Sequence, residues 1–246
     1  MNYNWNWMVF WDPSPDGTGT YLYTLIRGVY WTLGASAAAW VIALVFGVVV
    51  GVLRTSRIGW LERLCAGYVE LFRNVPLLVQ IFLWYFVMPE VVPEPLGQAI
   101  KAADPTWSTF WTAVVALGLF TSARIAEQIR AGIESLPRGQ SMAATALGLT
   151  RPQSYRYVLL PMTARIIMPP LASEALNLIK NSSVAFTIGL LELTGAARAM
   201  QEFTFQIFES FAAATVLYLV INILVVAGMR CIERRLQVPG YLGAAR

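Results

Sequence analysis

The sequence predicts an all-α, polytopic membrane protein with about five transmembrane helices, its N-terminus periplasmic and its C-terminus cytoplasmic. Three observations carry that prediction. Of the 246 residues, 57% are hydrophobic and only 13% charged, about half the charged share of a soluble domain, and the mean hydropathy is +0.57. Long stretches carry no charge, Gly28–Leu53 and Ser210–Met229 among them, and roughly 20 apolar residues suffice to cross the hydrocarbon core. Basic and acidic loops alternate along the chain, which sets the direction of each crossing.

Taken in order, the first span holds the uncharged Gly28–Leu53, and a second lies in Leu61–Met88, its charge-free part being Asn74–Pro89. A third runs from Trp107 through Leu119 into Arg124–Ile133. The fourth, Tyr155–Leu193, is interrupted by Pro161, Pro169-Pro170, Glu174 and Lys180. The fifth covers Phe208–Arg230. Arg54, Arg57 and Arg63 follow span one, and Arg130, Arg138, Arg151 and Arg156 follow span three. The other loops carry Glu90, Glu94 and Asp104, then Glu192, Glu202 and Glu209, while the tail carries Arg230, Arg234 and Arg235. Basic loops stay in the cytoplasm. Residues 1–20 lack the basic n-region of a signal peptide and carry Trp5, Trp7 and Trp11. They are expected to be a periplasmic segment at the interface, followed by a transmembrane domain at 21–236 and a cytoplasmic tail at 237–246. In span one, Gly47 and Gly51 form a small-xxx-small pair that permits close helix packing.

Several chemistries are excluded by what is missing. There is no histidine, hence no Ser-His catalysis, His-ligated zinc or imidazole relay. The two cysteines, Cys65 and Cys231, make no metal cluster, and no Gly-Lys-Ser/Thr phosphate loop occurs. The net charge of +4 is accounted for by loop arginines without basic blocks, so no nucleic-acid partner is expected. Ser182 or Ser183 beside Lys180 is the only arrangement that suggests an intramembrane nucleophile.

The loop at 136–156 decides the class. Met142–Leu147 favour helix, Gly148 can close it in the left-handed conformation, and Pro152 prevents its continuation. A charge-free helix facing the cytosol asks for a partner's groove or for its own bundle as cover.

Ala143-Ala144, Gly148 and Val158-Leu-Leu-Pro161 resemble, in spacing, the EAA loop of ABC importer permeases. Met142 replaces the usual glutamate and Val158 the usual isoleucine. Tyr68–Gln80, Arg130-Ala-Gly-Ile133 and Pro137-Arg-Gly-Gln140 are similar to polar amino acid permeases, most of all to glutamate/aspartate permeases. The resemblance implies a transporter subunit that is not itself an enzyme, in a bacterial inner membrane. Its implied partners are a second permease subunit, two ATP-binding cassette subunits that hold ATP and Mg, and a periplasmic amino-acid-binding protein. No cofactor is expected on this chain. Gln140, Met142, Ala143, Ala144, Gly148 and Pro161 would form the ATPase-coupling region.

Ionisable residues inside spans face the bundle interior or water. Glu174, Asn177 and Asn181 form one stripe on span four, with Lys180 adjacent, and Ser182 and Ser183 follow at a helix break. These residues and Arg124 are the candidate substrate site. A structural network pairing Glu174 with Lys180 or Arg165 is the other reading. Glu127, three residues beyond Arg124, offers a counter-charge. Many relatives that the chain resembles have tyrosine in place of Arg124, whereas glutamate/aspartate permeases resemble it in carrying arginine. Alternatives are a permease for neutral, amide or broader polar amino acids and, more distantly, a secondary carrier or channel.

Overall fold

The computed structural model describes residues 3–15, 17, 19–56 and 58–236. Arg57 and the tail expected at 237–246 lie outside them. Among the described residues the chain is helical, with one isolated bridge between Pro13 and Thr20 and no strand. A 3₁₀ turn, Trp7–Trp11, precedes α1, Tyr21–Leu53. The bent pair follows: α2, Gly59–Asn74; α3, Leu77–Phe82; a π turn, Leu83–Val87; and α4, Met88–Val91. Next come α5, Glu94–Ala102; the central α6, Pro105–Glu134; and the short α7, Arg138–Ala146. A further run holds α8, Arg151–Ser154; a π turn, Tyr155–Leu159; α9, Leu160–Asn181; and a 3₁₀ segment, Ser182–Ile188. The fold closes with α10, Leu193–Thr204, and α11, Ile207–Leu236.

Helices α1 and α6 form the centre. Glycine lets their backbones meet: a Cβ on Gly47 would lie 2.6 Å from Ile125 Cγ2, and one on Gly51 would lie 2.6 Å from Ile129 Cβ. The pattern reverses further up, where a Cβ on Gly118 of α6 would meet Ile42 Cγ2 at 2.7 Å. Small residues on each helix thus receive the isoleucines of the other, the contact that drives helix pairing where lipid offers no hydrophobic difference. The Gly47/Gly51 pair is therefore used inside the chain. Buried Phe110, Leu117 and Phe120 continue this core toward α3 and the 3₁₀ segment.

The expected five spans are not matched by composition. Among the described residues three helices are long and apolar enough to cross a membrane, α1, α6 and α11, or four if the bent pair counts as one. The second span is not a straight rod. It turns by 104° between Asn74 and Leu77, because Val75 precedes Pro76 and is held extended at φ −89°, ψ 128°. Gln80, buried at 4% exposure, secures the corner by donating Nε2 to the Phe72 and Val75 carbonyls, each at 2.9 Å. α9 meets the length but not the hydropathy, since Arg165, Glu174 and Lys180 lie within it. Pro169-Pro170 do not interrupt it as expected, since the helix runs through them; Pro161 lies in its first turn, next to the π turn Tyr155–Leu159, and the other departure falls at Ser182–Ile188.

The N-terminal stretch is anchored rather than trailing. Tyr3 donates its hydroxyl to Glu209, and the Asn6 amide donates to Glu209 Oε1 at 2.8 Å, which ties the segment to the start of α11. Trp5, Trp7 and Trp11 remain exposed.

Candidate functional site

Helix α6 places Arg124 two turns beyond Leu117, and α9 brings Glu174 opposite it. Arg124 Nη1 lies 3.9 Å from Glu174 Oε2, with side-chain exposures of 40% and 12%. The guanidinium also rests 4.8 Å from the Phe120 ring centroid, one turn earlier, which adds a cation–π contact. Gln128, one turn later on α6, donates Nε2 to Glu174 Oε1 at 3.3 Å, while its buried Oε1 has no partner. An exposed charge within a span does not face hydrocarbon, so Arg124 faces water or another protein surface.

This cluster corrects two expectations. Glu127 does not neutralise Arg124; it pairs with Arg54 at the end of α1 and accepts from Arg130 at 2.5 Å, and Arg130 also reaches Glu134 at 2.5 Å. Nor is Glu174 paired with Lys180 or Arg165, because Arg124 occupies that position.

The other candidates distribute unevenly. At about 100° per residue, Asn177 and Asn181 stay within about 60° of Glu174, and both are half-buried. Lys180 lies about 120° around the helix and is exposed, and it makes no ion pair among the described residues. Ser182 is buried and donates Oγ to the Ile179 carbonyl at 2.7 Å, and Ser183 does the same to Lys180 at 2.7 Å. These hydroxyls serve the tightening of the helix end into the 3₁₀ segment, which closes at Gly189 with φ +91°. The sequence reading missed Gln128, although its i+4 spacing from Arg124 marks the same face.

A second polar knot holds the far end. Glu192 is fully buried and caps α10, its Oε1 accepting from Gly195 N at 2.9 Å and its Oε2 from Thr194 N at 3.0 Å. Tyr218 of α11 and Thr32 of α1 also donate to it, at 2.7 and 3.4 Å. Glu192 and Glu209, counted above as loop charges, are thus both internal. Glutamate is an uncommon N-cap, and no local sequence signal marks it.

At the Arg-rich end, α7 stands over a hollow of about 930 Å³ lined by Arg54, Thr55, Met142, Arg151 and Tyr155. Its C-terminus is a Schellman motif: Leu149 N donates to Ala144 O at 3.1 Å and Gly148 N to Thr145 O at 2.9 Å, with Gly148 at φ +75°. Ala144 packs inward, whereas Met142, Ala143 and Leu147 are exposed. Gln140 lies on the same short helix, and Pro161 sits in the first turn of α9.

The chain has close relatives across its whole length. It is 47% identical over 244 residues to the glutamate/aspartate import permease protein GltJ of Escherichia coli strain K12, covering 99% of each chain. It is 37% identical over 210 residues to the probable glutamine ABC transporter permease protein GlnM of Bacillus subtilis strain 168, covering 85% of this chain and 92% of that one. The crystal structure of an amino acid ABC transporter with histidines superposes with a TM-score of 0.74 at 30% identity, over 87% of this chain and 95% of that one. The profile of the binding-protein-dependent transport system inner membrane component matches residues 20–238. With the spacing from Ala143 to Pro161, the permease fold and that match in agreement, the chain belongs to the family of inner membrane components of binding-protein-dependent transport systems.

Proposed function

We propose that this chain is a transmembrane subunit of an ATP-driven importer that takes glutamate or aspartate from a periplasmic binding protein. One observation carries the substrate assignment: a half-exposed Arg124 inside a span, held by Phe120 and only loosely matched by Glu174 at 3.9 Å. A guanidinium grips a carboxylate through two parallel hydrogen bonds, and an acidic amino acid offers one carboxylate more than a neutral one. The 47% identity to a glutamate/aspartate permease over the full length supports the same reading.

A second permease subunit, identical or homologous, would complete the path, and two cassette ATPases holding ATP and Mg would drive it. In this arrangement α7, with Met142, Ala143 and Gly148, docks on the ATPase, and closure there is passed on as rigid-body motion. α9 is read as a fourth protein-lined crossing beside the path, where low hydropathy is tolerated, which with the bent pair makes five and leaves the N-terminus outside.

The test is uptake of labelled glutamate, aspartate, glutamine and arginine by the reconstituted complex. Arg124→Lys should lower acidic uptake about tenfold, because the planar fork is lost, and Arg124→Tyr should abolish acidic selectivity. Glutamate uptake unchanged in Arg124→Tyr overturns the substrate assignment. Preferential glutamine uptake by the unaltered complex would favour the amide reading, which the glutamine-permease relative supports.

A further inference from the structure

We infer that Glu174 acts as a built-in stand-in for the substrate's side-chain carboxylate, occupying Arg124 in the empty site and yielding it when an acidic amino acid arrives. The inference rests on the assignment of Arg124 as the carboxylate-gripping residue.

The geometry is that of a replaceable partner. Glu174 approaches Arg124 through one oxygen at 3.9 Å, well beyond the 2.7–2.9 Å of a charge-assisted hydrogen bond. Its chemistry is the same as that of a glutamate side chain: a carboxylate on a two-carbon stem. Arg124 does not depend on Glu174 for its position, because the Phe120 ring supports the guanidinium from its own helix. Glu174 in turn does not depend on Arg124, since Gln128 holds its other oxygen at 3.3 Å. A displaced Glu174 therefore keeps a hydrogen-bonding partner and stays within reach. The exposures point the same way: Arg124 is 40% exposed and Glu174 only 12%, so an incoming carboxylate reaches the arginine from its open side.

Two consequences follow for selectivity. The pair is electrically closed when empty, so a lone inorganic anion gains little from entering it. A ligand must outcompete a tethered carboxylate of its own kind, and its apparent affinity is reduced by the fraction of time Arg124 is engaged. A neutral amino acid lacks the group needed for that exchange. Gln128 is a positioning residue here: it acts through Glu174 and touches no substrate.

The experiment measures equilibrium binding of labelled glutamate to the purified permease–ATPase complex without binding protein, alongside glutamate KM and maximal uptake in proteoliposomes. Glu174→Gln should tighten glutamate binding about tenfold and lower KM, while inorganic phosphate and chloride begin to compete. Glu174→Asp, one methylene shorter and farther from the arginine, should give a smaller tightening with charge retained. It serves as the deciding variant if Glu174→Gln does not assemble. Gln128→Leu should shift KM without abolishing uptake. Weaker glutamate binding in both Glu174 variants overturns the stand-in role and makes Glu174 a direct ligand or a structural residue. If Arg124→Tyr leaves glutamate uptake intact, the failure lies instead in the substrate assignment.

Discussion

The Tyr218 hydroxyl donates to Glu192 Oε2 at 2.7 Å, joining α11 to the cap of α10 at a carboxylate that no solvent reaches. Thr32 of α1 completes the junction by accepting from Leu193 N at 3.0 Å. The first helix thus meets the last two there, and the buried charge is tolerated because four donors surround it.

Removing one donor should therefore be costly. Tyr218→Phe should destabilise the permease by about 2 kcal/mol, the usual range for a hydrogen bond to a charged group. The measurement is thermal unfolding in detergent. The double variant with Glu192→Gln should cost less than the sum of the two single changes, as expected for coupled partners.

The glycine ladder predicts a steric penalty at one position and none at another. Gly51→Ala places a methyl 2.6 Å from Ile129 Cβ and should cost about 1–3 kcal/mol through overpacking. Ile129→Ala in the same chain should recover little of it, since alanine keeps the Cβ and the Ala126 carbonyl oxygen stays 2.7 Å away. At Gly67, where an added Cβ meets nothing within 4 Å, alanine should leave the unfolding temperature unchanged or slightly raised.

Gly148 separates geometry from crowding. An added Cβ there also meets nothing, yet the φ of +75° disfavours any L side chain, by about 1–2 kcal/mol. Gly148→Asp should preserve membrane insertion while binding-protein-stimulated ATP hydrolysis and transport fall together. Normal stimulated hydrolysis in that variant would count against α7 as the coupling helix.

Orientation is testable with impermeant thiol reagents in intact cells. Ser14 and Gly97 suit the charge pattern but are buried, so Leu96 on α5, 52% exposed, is the better position. Leu96→Cys should react from outside, whereas Gly139→Cys on α7 should not. Both belong in a background where the exposed Cys231 is replaced by serine. Labelling at Gly139 reverses the topology.

Local chemistry was legible in the sequence wherever a residue's backbone preference decided the outcome. The left-handed stop at Gly148 and the helix ended by Asn181–Ser183 are of that kind. At Pro76 the proline was visible but the 104° turn was not, because a hydrophobicity scan averages across Val75 and ignores the Gln80 side chain that holds the corner. Charge pairing was read least well. Glu127 is nearest to Arg124 along the helix, yet Arg54, 73 positions away, competes for it, and Glu174 becomes Arg124's partner only when α9 packs against α6. Glu192 and Glu209 looked like solvent-facing charges for the same reason: their partners, Tyr218, Thr32 and Tyr3, come from other segments.

Helix α6 is joined to α7 by a short link. Only Ser135, Leu136 and Pro137 intervene, and Ser135 N, Leu136 N and Gln140 N stay bonded to Ala131, Ile133 and Pro137 at 3.0, 3.3 and 3.0 Å. Arg124 sits about 15 Å along the same rod from its Glu134 end, and the isoleucines beneath it are keyed into the backbone of α1. A push on α7 thus has a single extended residue, Pro137 (φ −56°, ψ 133°), to pass before it reaches the rod that carries the arginine. Under the proposed function, the arginine that would grip the cargo and the helix that would receive the motor sit on consecutive elements, so the stroke of the ATPase would set how far that grip swings.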